Sequence, residues 1–190
     1  MSEFYIPSDN LGIGANSEEY DYELFYNVFN FTGSIVLDAG ADYGSTAKFF
    51  LEKGCKEVIC VESNDTIWPA LLENAKRDSR IKPMKLEINT ANHWRELIGI
   101  KPTPDIFKVD CEYCEEGLLE VEDEIIKTVP RWMIETHSKT LYRAMIKKFV
   151  DMKYYIVSGN PKTLLISFSL DYNPLMETQL ALKRSSGLTE

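Results

Sequence analysis

The stretch VLDAGADYGS, Val36 to Ser45, runs from an apolar segment into an acid and then through two glycines. The apolar residues around Asp38, from Ile35 to Ala39, read as a buried strand. Gly40 and Gly44 give the backbone the freedom a tight turn needs. Ser45 is placed to cap a helix whose core face is Ala47, Phe50 and Leu51 and which Gly54 stops. Strand, glycine turn and helix in succession present backbone N–H groups at the C-terminal edge of a sheet, where open α/β folds bind ligands. A phosphate-gripping loop would follow its last glycine with GK[ST], and a dinucleotide loop would want glycines at 40, 42 and 45. The chain has Asp42 and Ser45 at the latter two. Asp38 instead suits a ligand that brings an amine or a sulfonium to this end.

S-Adenosylmethionine is such a ligand, with a cationic sulfur, an amino-acid end, a ribose diol and an adenine. Glu62 closes the next strand, where a carboxylate can accept both ribose hydroxyls. The expected cofactor set is Asp38, the turn Gly40, Ala41, Asp42, Tyr43, Gly44 and Ser45, then Glu62 and Ser63, Asn89, and Asp110.

Outward from this unit, short β-rich runs alternate with amphipathic helices, the pattern of βαβ units around a parallel sheet. Strands are expected at Ile35 to Ala39, Val58 to Glu62, Met84 to Ile88, Ile106 to Asp110 and Arg131 to Thr136. Helices are marked by Ile67, Leu71, Leu72 and Ala75 with Pro69 in the first turn, by Trp94, Leu97 and Ile98, by Glu115 to Thr128 ahead of Pro130, and by Leu141, Met145, Phe149 and Met152. YYIVS and TLLISFSL are separated only by GNPK, which demands an antiparallel hairpin. The fold class is therefore α/β, Rossmann-like, a mostly parallel seven-stranded sheet with helices on both faces and a C-terminal antiparallel hairpin. Before it, residues 1–32 form an irregular arm and a helix with Tyr20, Leu24, Val28 and Phe31 on its core face. The main domain covers residues 33–170. A tail follows from 171 to 190, with a weak amphipathic stretch around Leu175 to Leu182.

The chain has 190 residues, 44% of them hydrophobic, enough for one domain with a sizeable core. Its formal net charge of −9 repels a nucleic-acid backbone, so nucleic acid is not an expected partner. No apolar run spans a bilayer and the N-terminus lacks the pattern of a signal peptide, which gives the expectation of a soluble, cytoplasmic protein without a membrane partner. A homodimer is retained among the expectations. Cys55, Cys60, Cys111 and Cys114 are expected as reduced thiols, although the last two have CxxC spacing.

VLDAGADYGSTAKFFLEKGCKEVICVESN resembles the first two motifs of class I S-adenosylmethionine-dependent methyltransferases. IFKVDCEYCEEGLL followed by WMIETHS resembles the FkbM-like branch, with Lys108, Asp110, Glu112 and Glu115 matching one motif and Glu135 with His137 the other. The similarity covers roughly Ile35 to Leu170. It departs at Asp42, where Gly or Asn is usual, and at Tyr113, which replaces a glycine. The resemblance implies methyl transfer to an oxygen acceptor, a small-molecule or glycan hydroxyl. His137 is the expected base, because imidazole titrates near neutrality. Asp110 and Glu112 are expected beside the transferred methyl, orienting the acceptor. No metal site is expected, and the competing mechanism is a divalent cation held by Asp110, Glu112, Glu135 and His137. The competing functions are a degenerate binding protein of the same fold, motivated by Tyr113 and Asp42, and an NAD-dependent oxidoreductase, which shares Glu62 but not the glycine spacing.

Overall fold

Every residue of the strand Ile35–Ala39 (β1) is buried, and its side chains alternate between two cores. Ile35, Leu37 and Ala39 join Phe107, Trp94, Trp132 and Phe149 on one side of the sheet. Val36 faces Phe31, Phe50 and Met133 on the other. A strand buried on both faces needs parallel neighbours and helices on each side. The computed structural model describes Phe4, Tyr5 and residues 22–171. Apart from Phe4 and Tyr5, the expected arm over residues 1–16 lies outside the described residues, as do the helical positions 17–21 and the tail after 171.

Seven strands are arranged in the order β3-β2-β1-β4-β5-β7-β6. Besides β1 they are β2 (Glu57–Glu62), β3 (Ile81–Lys85), β4 (Ile106–Val109), β5 (Arg131–Glu135), β6 (Tyr155–Asn160) and β7 (Leu165–Ser169). β7 runs antiparallel to both β5 and β6, as a short connection requires; Gly159 and Asn160 of the expected GNPK turn are the last residues of β6, and residues 161–164 make the turn. The helices are α1 (Tyr22–Tyr26), α2 (Ser45–Glu52), α3 (Trp68–Arg77), α4 (Ala91–Ile98), α5 (Glu115–Leu118), α6 (Asp123–Ile126) and α7 (Lys139–Asp151). Strand order reverses between β1 and β4, both of which pair with parallel neighbours, and this creates a crevice at their C-terminal ends.

Other expectations from the sequence need correction. The third strand runs Ile81–Lys85 rather than Met84 to Ile88, with Pro83 included: β3 is an edge strand, where a missing N–H is tolerated. The single helix expected over Glu115 to Thr128 is two short ones. Arg95 Nη2 donates to the Glu120 carbonyl (3.3 Å) and Lys148 Nζ to the Val121 carbonyl (2.9 Å), so cations from other helices satisfy groups that a continuous helix would have used. Leu24 is exposed, and the buried residues of its segment are Tyr26, Val28, Phe29 and Phe31, set by contact with α2 rather than by helical periodicity. Ser45 is the first residue of α2, and the capping position belongs to Gly44, whose φ of 95° is left-handed. A Cβ on Gly44 would approach Leu71 and Phe4, so this glycine faces packed side chains rather than the ligand face of the turn.

Candidate functional site

Asp38 and Lys108 are register partners on β1 and β4, so their side chains share one face of the sheet. Both are buried, with Lys108 Nζ 3.1 Å from Asp38 Oδ1. The same ammonium donates to the Gly40 carbonyl at 2.9 Å and lies 3.5 Å from Asp110 Oδ2. The ammonium thus makes one hydrogen bond, to the turn after β1, and ion pairs with one acid on β1 and one following β4. The Thr46 hydroxyl donates to the other Asp38 oxygen. Burial alone would drive the Lys108 pKa down, but Asp38 and Asp110 more than offset it and hold the ammonium charged. Lys108 was legible in the sequence only as part of a motif. Its signal was a lysine inside the otherwise apolar IFKV.

Above this pair the C-terminal strand ends enclose a cavity of about 800 Å³. Gly40, Ala41, Asp42 and Ser45 line one side, Glu62, Ser63 and Asn89 another, and Asp110 and Glu112 a third. Val61, Ile67, Leu86 and Ile88 add apolar wall, and Tyr22 and Tyr26 close the side toward α1. Three residues of the expected cofactor set are placed otherwise. Asp38 is wholly buried beneath the cavity with its carboxylate engaged by Lys108 and Thr46. Tyr43 and Gly44 point into the packing under α3, where Asn74 Nδ2 donates to the Tyr43 carbonyl at 2.8 Å.

Glu62 reaches the cavity, but most of its acceptor capacity is used by the chain. Oε1 accepts from the N–H groups of Ser63 (2.8 Å) and Asn64 (2.7 Å), and Oε2 from that of Asp42 (2.9 Å). A carboxylate offers about four lone-pair sites, so one remains for a ligand hydroxyl, not the two that the sequence suggested. The bond from its N–H helps hold Asp42 at a φ of 52°, the left-handed conformation that glycine would adopt without cost. Its Oδ1 is buried with no hydrogen-bond partner. Burial and then the charge of Glu62 push the Asp42 carboxyl up to about 6. Tyr113 is likewise left-handed, with φ 69°.

His137 follows β5 and does not line the cavity. Its Nδ1 is 3.1 Å from Oε1 of the buried Glu115, whose same oxygen accepts the His137 backbone N–H at 2.8 Å. The Tyr113 N–H points at Nδ1 from 3.4 Å. The proton on Nδ1 is assigned to the shorter contact, with Glu115, which leaves Nε2 facing Glu112 Oε2 (3.7 Å) and Asp110 Oδ1 (3.8 Å). The Glu115 hydrogen bond is the main cause of a raised His137 pKa, supported by the charges of Glu115, Glu112 and Asp110 and opposed by burial. Among the described residues no three His, Cys, Asp or Glu side chains are grouped to hold a metal ion.

The cysteines also differ from expectation. Cys111 and Cys114 are joined in a disulfide on the cavity wall, while Cys55 and Cys60 are free and buried. The loop after β4 folds back on itself through Glu112 and Tyr113 and brings the two sulfurs together, which spacing alone did not reveal. No helix among the described residues is long and apolar enough to cross a membrane.

The mostly parallel seven-stranded sheet, its antiparallel C-terminal hairpin and the crevice at the reversal of strand order define a Rossmann-like methyltransferase fold. No family model matches the chain. It is 28% identical over 147 residues, 77% of its length and 87% of the relative's, to uncharacterized protein 65 of Sulfolobus islandicus filamentous virus. It is 26% identical to uncharacterized protein 158B of Sulfolobus islandicus rod-shaped virus 1, over 52% of this chain and 59% of that one. Among solved structures it is similar to the fibrillarin of Aeropyrum pernix in complex with S-adenosyl-L-methionine, with a TM-score of 0.53 and 15% identity, over 72% of this chain and 66% of that one. It is also similar to the ribosomal protein L11 methylase of Lactobacillus delbrueckii, with a TM-score of 0.53 and 15% identity over 73% and 69% of the two chains. For the precorrin-6y C5,15-methyltransferase of Geobacter metallireducens the TM-score is 0.53 and the identity 11%, over 74% and 81%.

Proposed function

We propose that the chain is an S-adenosylmethionine-dependent methyltransferase. The observation that carries this reading is the cavity at the β1/β4 reversal, with the Gly40–Asp42 turn on one side and Glu62 on the other. The donor set fits the cofactor: one open acceptor site on Glu62 suits a ribose hydroxyl, the unpartnered Asp42 Oδ1 suits the ligand's ammonium, and the apolar wall suits an adenine. The cofactor, when bound, supplies an activated methyl group. The chain's task is then to align an acceptor in line with it and to receive the acceptor's proton.

For the acceptor we infer a small-molecule or sugar hydroxyl, as the FkbM-like motif residues Lys108, Asp110, Glu112, Glu115, Glu135 and His137 suggest. The names of similar solved structures point to other acceptors: an RNA, a ribosomal protein and a precorrin. Against a polynucleotide stand the net charge of −9 and the acids Glu87, Asp110, Glu112 and Glu116 on the cavity wall. Asp110 and Glu112 orient the hydroxyl, and neutral His137, behind them, takes up the proton at Nε2.

Thermal unfolding tests the cofactor directly. S-Adenosylmethionine and S-adenosylhomocysteine should raise the midpoint, because a ligand that binds only the native state stabilises it. NAD should not, and a shift with NAD alone would replace this reading by the oxidoreductase one. Glu62→Ala is expected to weaken adenosylmethionine by about 1 to 3 kcal/mol, the scale of a lost charged hydrogen bond. It also strands the N–H groups of Asp42, Ser63 and Asn64, so its own midpoint should fall. Unchanged affinity by calorimetry would remove Glu62 from the ligand site.

The His137 role makes a prediction with a definite sign. Its folded pKa lies above the ordinary 6.5. The imidazolium's contribution to stability is therefore complete below that value and is lost as pH rises through the raised folded pKa. Turnover has the opposite slope, since only neutral imidazole accepts a proton, and should climb over the same interval. His137→Asn should reduce turnover about 10² to 10⁴ fold with adenosylmethionine affinity near wild type. Single-turnover transfer of a radiolabelled methyl group to the acceptor measures both; a mutant with the wild-type rate and pH profile retires the base.

A further inference from the structure

We propose that the Cys111–Cys114 disulfide is the positioning element of the cavity's acceptor side, holding Glu112 and Tyr113 against His137 when oxidised and releasing them when a dithiol reduces it. Calling this the acceptor side rests on the methyltransferase reading above. The mechanical part rests on the loop alone.

The segment after β4 is fixed at both ends. At its start the Asp110 N–H donates to the Ala39 carbonyl at 3.0 Å, and the Asp110 carbonyl packs so closely on Gly40 that no Cβ would fit there. At its end Trp94 Nε1 donates to the Cys114 carbonyl at 2.8 Å, and Gly117 packs on the backbone of Thr90. Between them stand two consecutive non-glycine residues in the left-handed region, Glu112 at φ 46° and Tyr113 at φ 69°. Such a pair is disfavoured unless the surroundings impose it. The approaches of Glu112 and Tyr113 to the His137 ring are long, 3.7 Å from Glu112 Oε2 and 3.4 Å from the Tyr113 nitrogen, with the Tyr113 and His137 ring centroids 5.4 Å apart; the Tyr113 carbonyl accepts the Glu116 N–H at 3.2 Å. Both side chains are exposed. The disulfide spans these two residues, and the Cys114 N–H bond to the Cys111 carbonyl, at 3.3 Å, closes the same short loop.

Reduction by a dithiol breaks the S–S bond, adds two electrons and two protons to give two thiols, and converts the reductant to its own disulfide. Covalent closure of the left-handed pair is then gone, and Glu112 and Tyr113 leave His137. The opposite side of the cavity is held by other means. Lys108 binds the Gly40 carbonyl, and Glu62 binds the N–H groups of Asp42, Ser63 and Asn64.

The test uses the full chain purified without reductant. Denaturing alkylation with iodoacetamide, followed by peptide mass spectrometry, should label Cys55 and Cys60 and spare Cys111 and Cys114. Hydrogen exchange is then compared among the oxidised protein, the dithiothreitol-reduced protein and the Cys111→Ser/Cys114→Ser variant. The Tyr113 and residue-114 amides should exchange at least about tenfold faster in the last two. The His137 Hε1 resonance should shift with the departure of Glu112, while Glu115 and Asp110 stay in place, and reoxidation should restore it. Affinity for S-adenosylhomocysteine should change by less than about threefold. Alkylation of all four cysteines without reductant overturns the proposal. So does exchange or a His137 resonance indifferent to reduction, or a loss of adenosylhomocysteine affinity as large as the gain in exchange. If neither redox state binds adenosylhomocysteine, the methyltransferase reading fails, and exchange with the His137 resonance still decides whether the bridge positions the loop.

Discussion

Lys108→Met is expected to lower the free energy of unfolding by about 3 to 5 kcal/mol, the cost of leaving a buried charge without its partner. Asp38 is wholly enclosed, and its remaining donor, the Thr46 hydroxyl, is neutral. The Gly40 carbonyl and Asp110 lose a donor in the same step. Domains have only about 5 to 15 kcal/mol to lose, so the variant should be marginal at neutral pH. Its stability should partly recover in acid. Burial raises the Asp38 pKa even with Lys108 present, and without the ammonium the carboxyl rises further. A raised folded pKa means that stability is greater at low pH and is lost as pH rises through that value. The double variant Asp38→Leu/Lys108→Met should regain most of the loss, because a pair replaced by apolar groups of similar size is often neutral. Urea unfolding of the three proteins measures the cycle. A single variant within about 1 kcal/mol of wild type would show that this pair does not hold β1 to β4.

Gly40→Ala should be nearly as severe and should act on the ligand as well. A Cβ there would lie 1.8 Å from the Asp110 carbonyl oxygen, and the residue's φ of 76° is strained for any side chain. The obstacle is backbone, which cannot rotate aside, so the turn must leave β4 and carry Ala41 and Asp42 with it. We expect a loss of roughly 2 to 4 kcal/mol in stability and adenosylmethionine affinity lowered by at least about tenfold. Gly33→Ala is the control: its φ is 74°, yet nothing lies within 4 Å of the added carbon. It should cost about 1 to 2 kcal/mol for the left-handed backbone alone and leave ligand binding intact. Equal effects of the two substitutions would mean that close approach to Asp110 plays no part.

Much of the architecture follows from local pattern. Ile35–Ala39 is apolar apart from Asp38, Arg131–Glu135 carries Trp132, Met133 and Ile134 in succession, and the glycine turn after β1 and the short connection between the last two strands leave few topologies open. Pattern failed where tertiary partners replaced local ones. Pro83 could enter β3 because that strand lies at the edge, and the helix after Glu115 broke because Arg95 and Lys148 took over its carbonyls.

The candidate site divides in the same way. Residue type and order, by themselves, determined the α/β class, the turn at Gly40, the acid closing β2 and the acid following β4, because each is a property of a strand end or turn and needs only its neighbours in the chain. The tertiary structure alone decided how each group is employed. It put Asp38 beneath the cavity with Lys108, turned three N–H groups onto Glu62, set His137 behind Asp110 and Glu112, and joined Cys111 to Cys114. The reason is that hydrogen-bond capacity and buried charge are settled between segments distant in sequence, and the identity of a side chain carries no record of the partner that will reach it first.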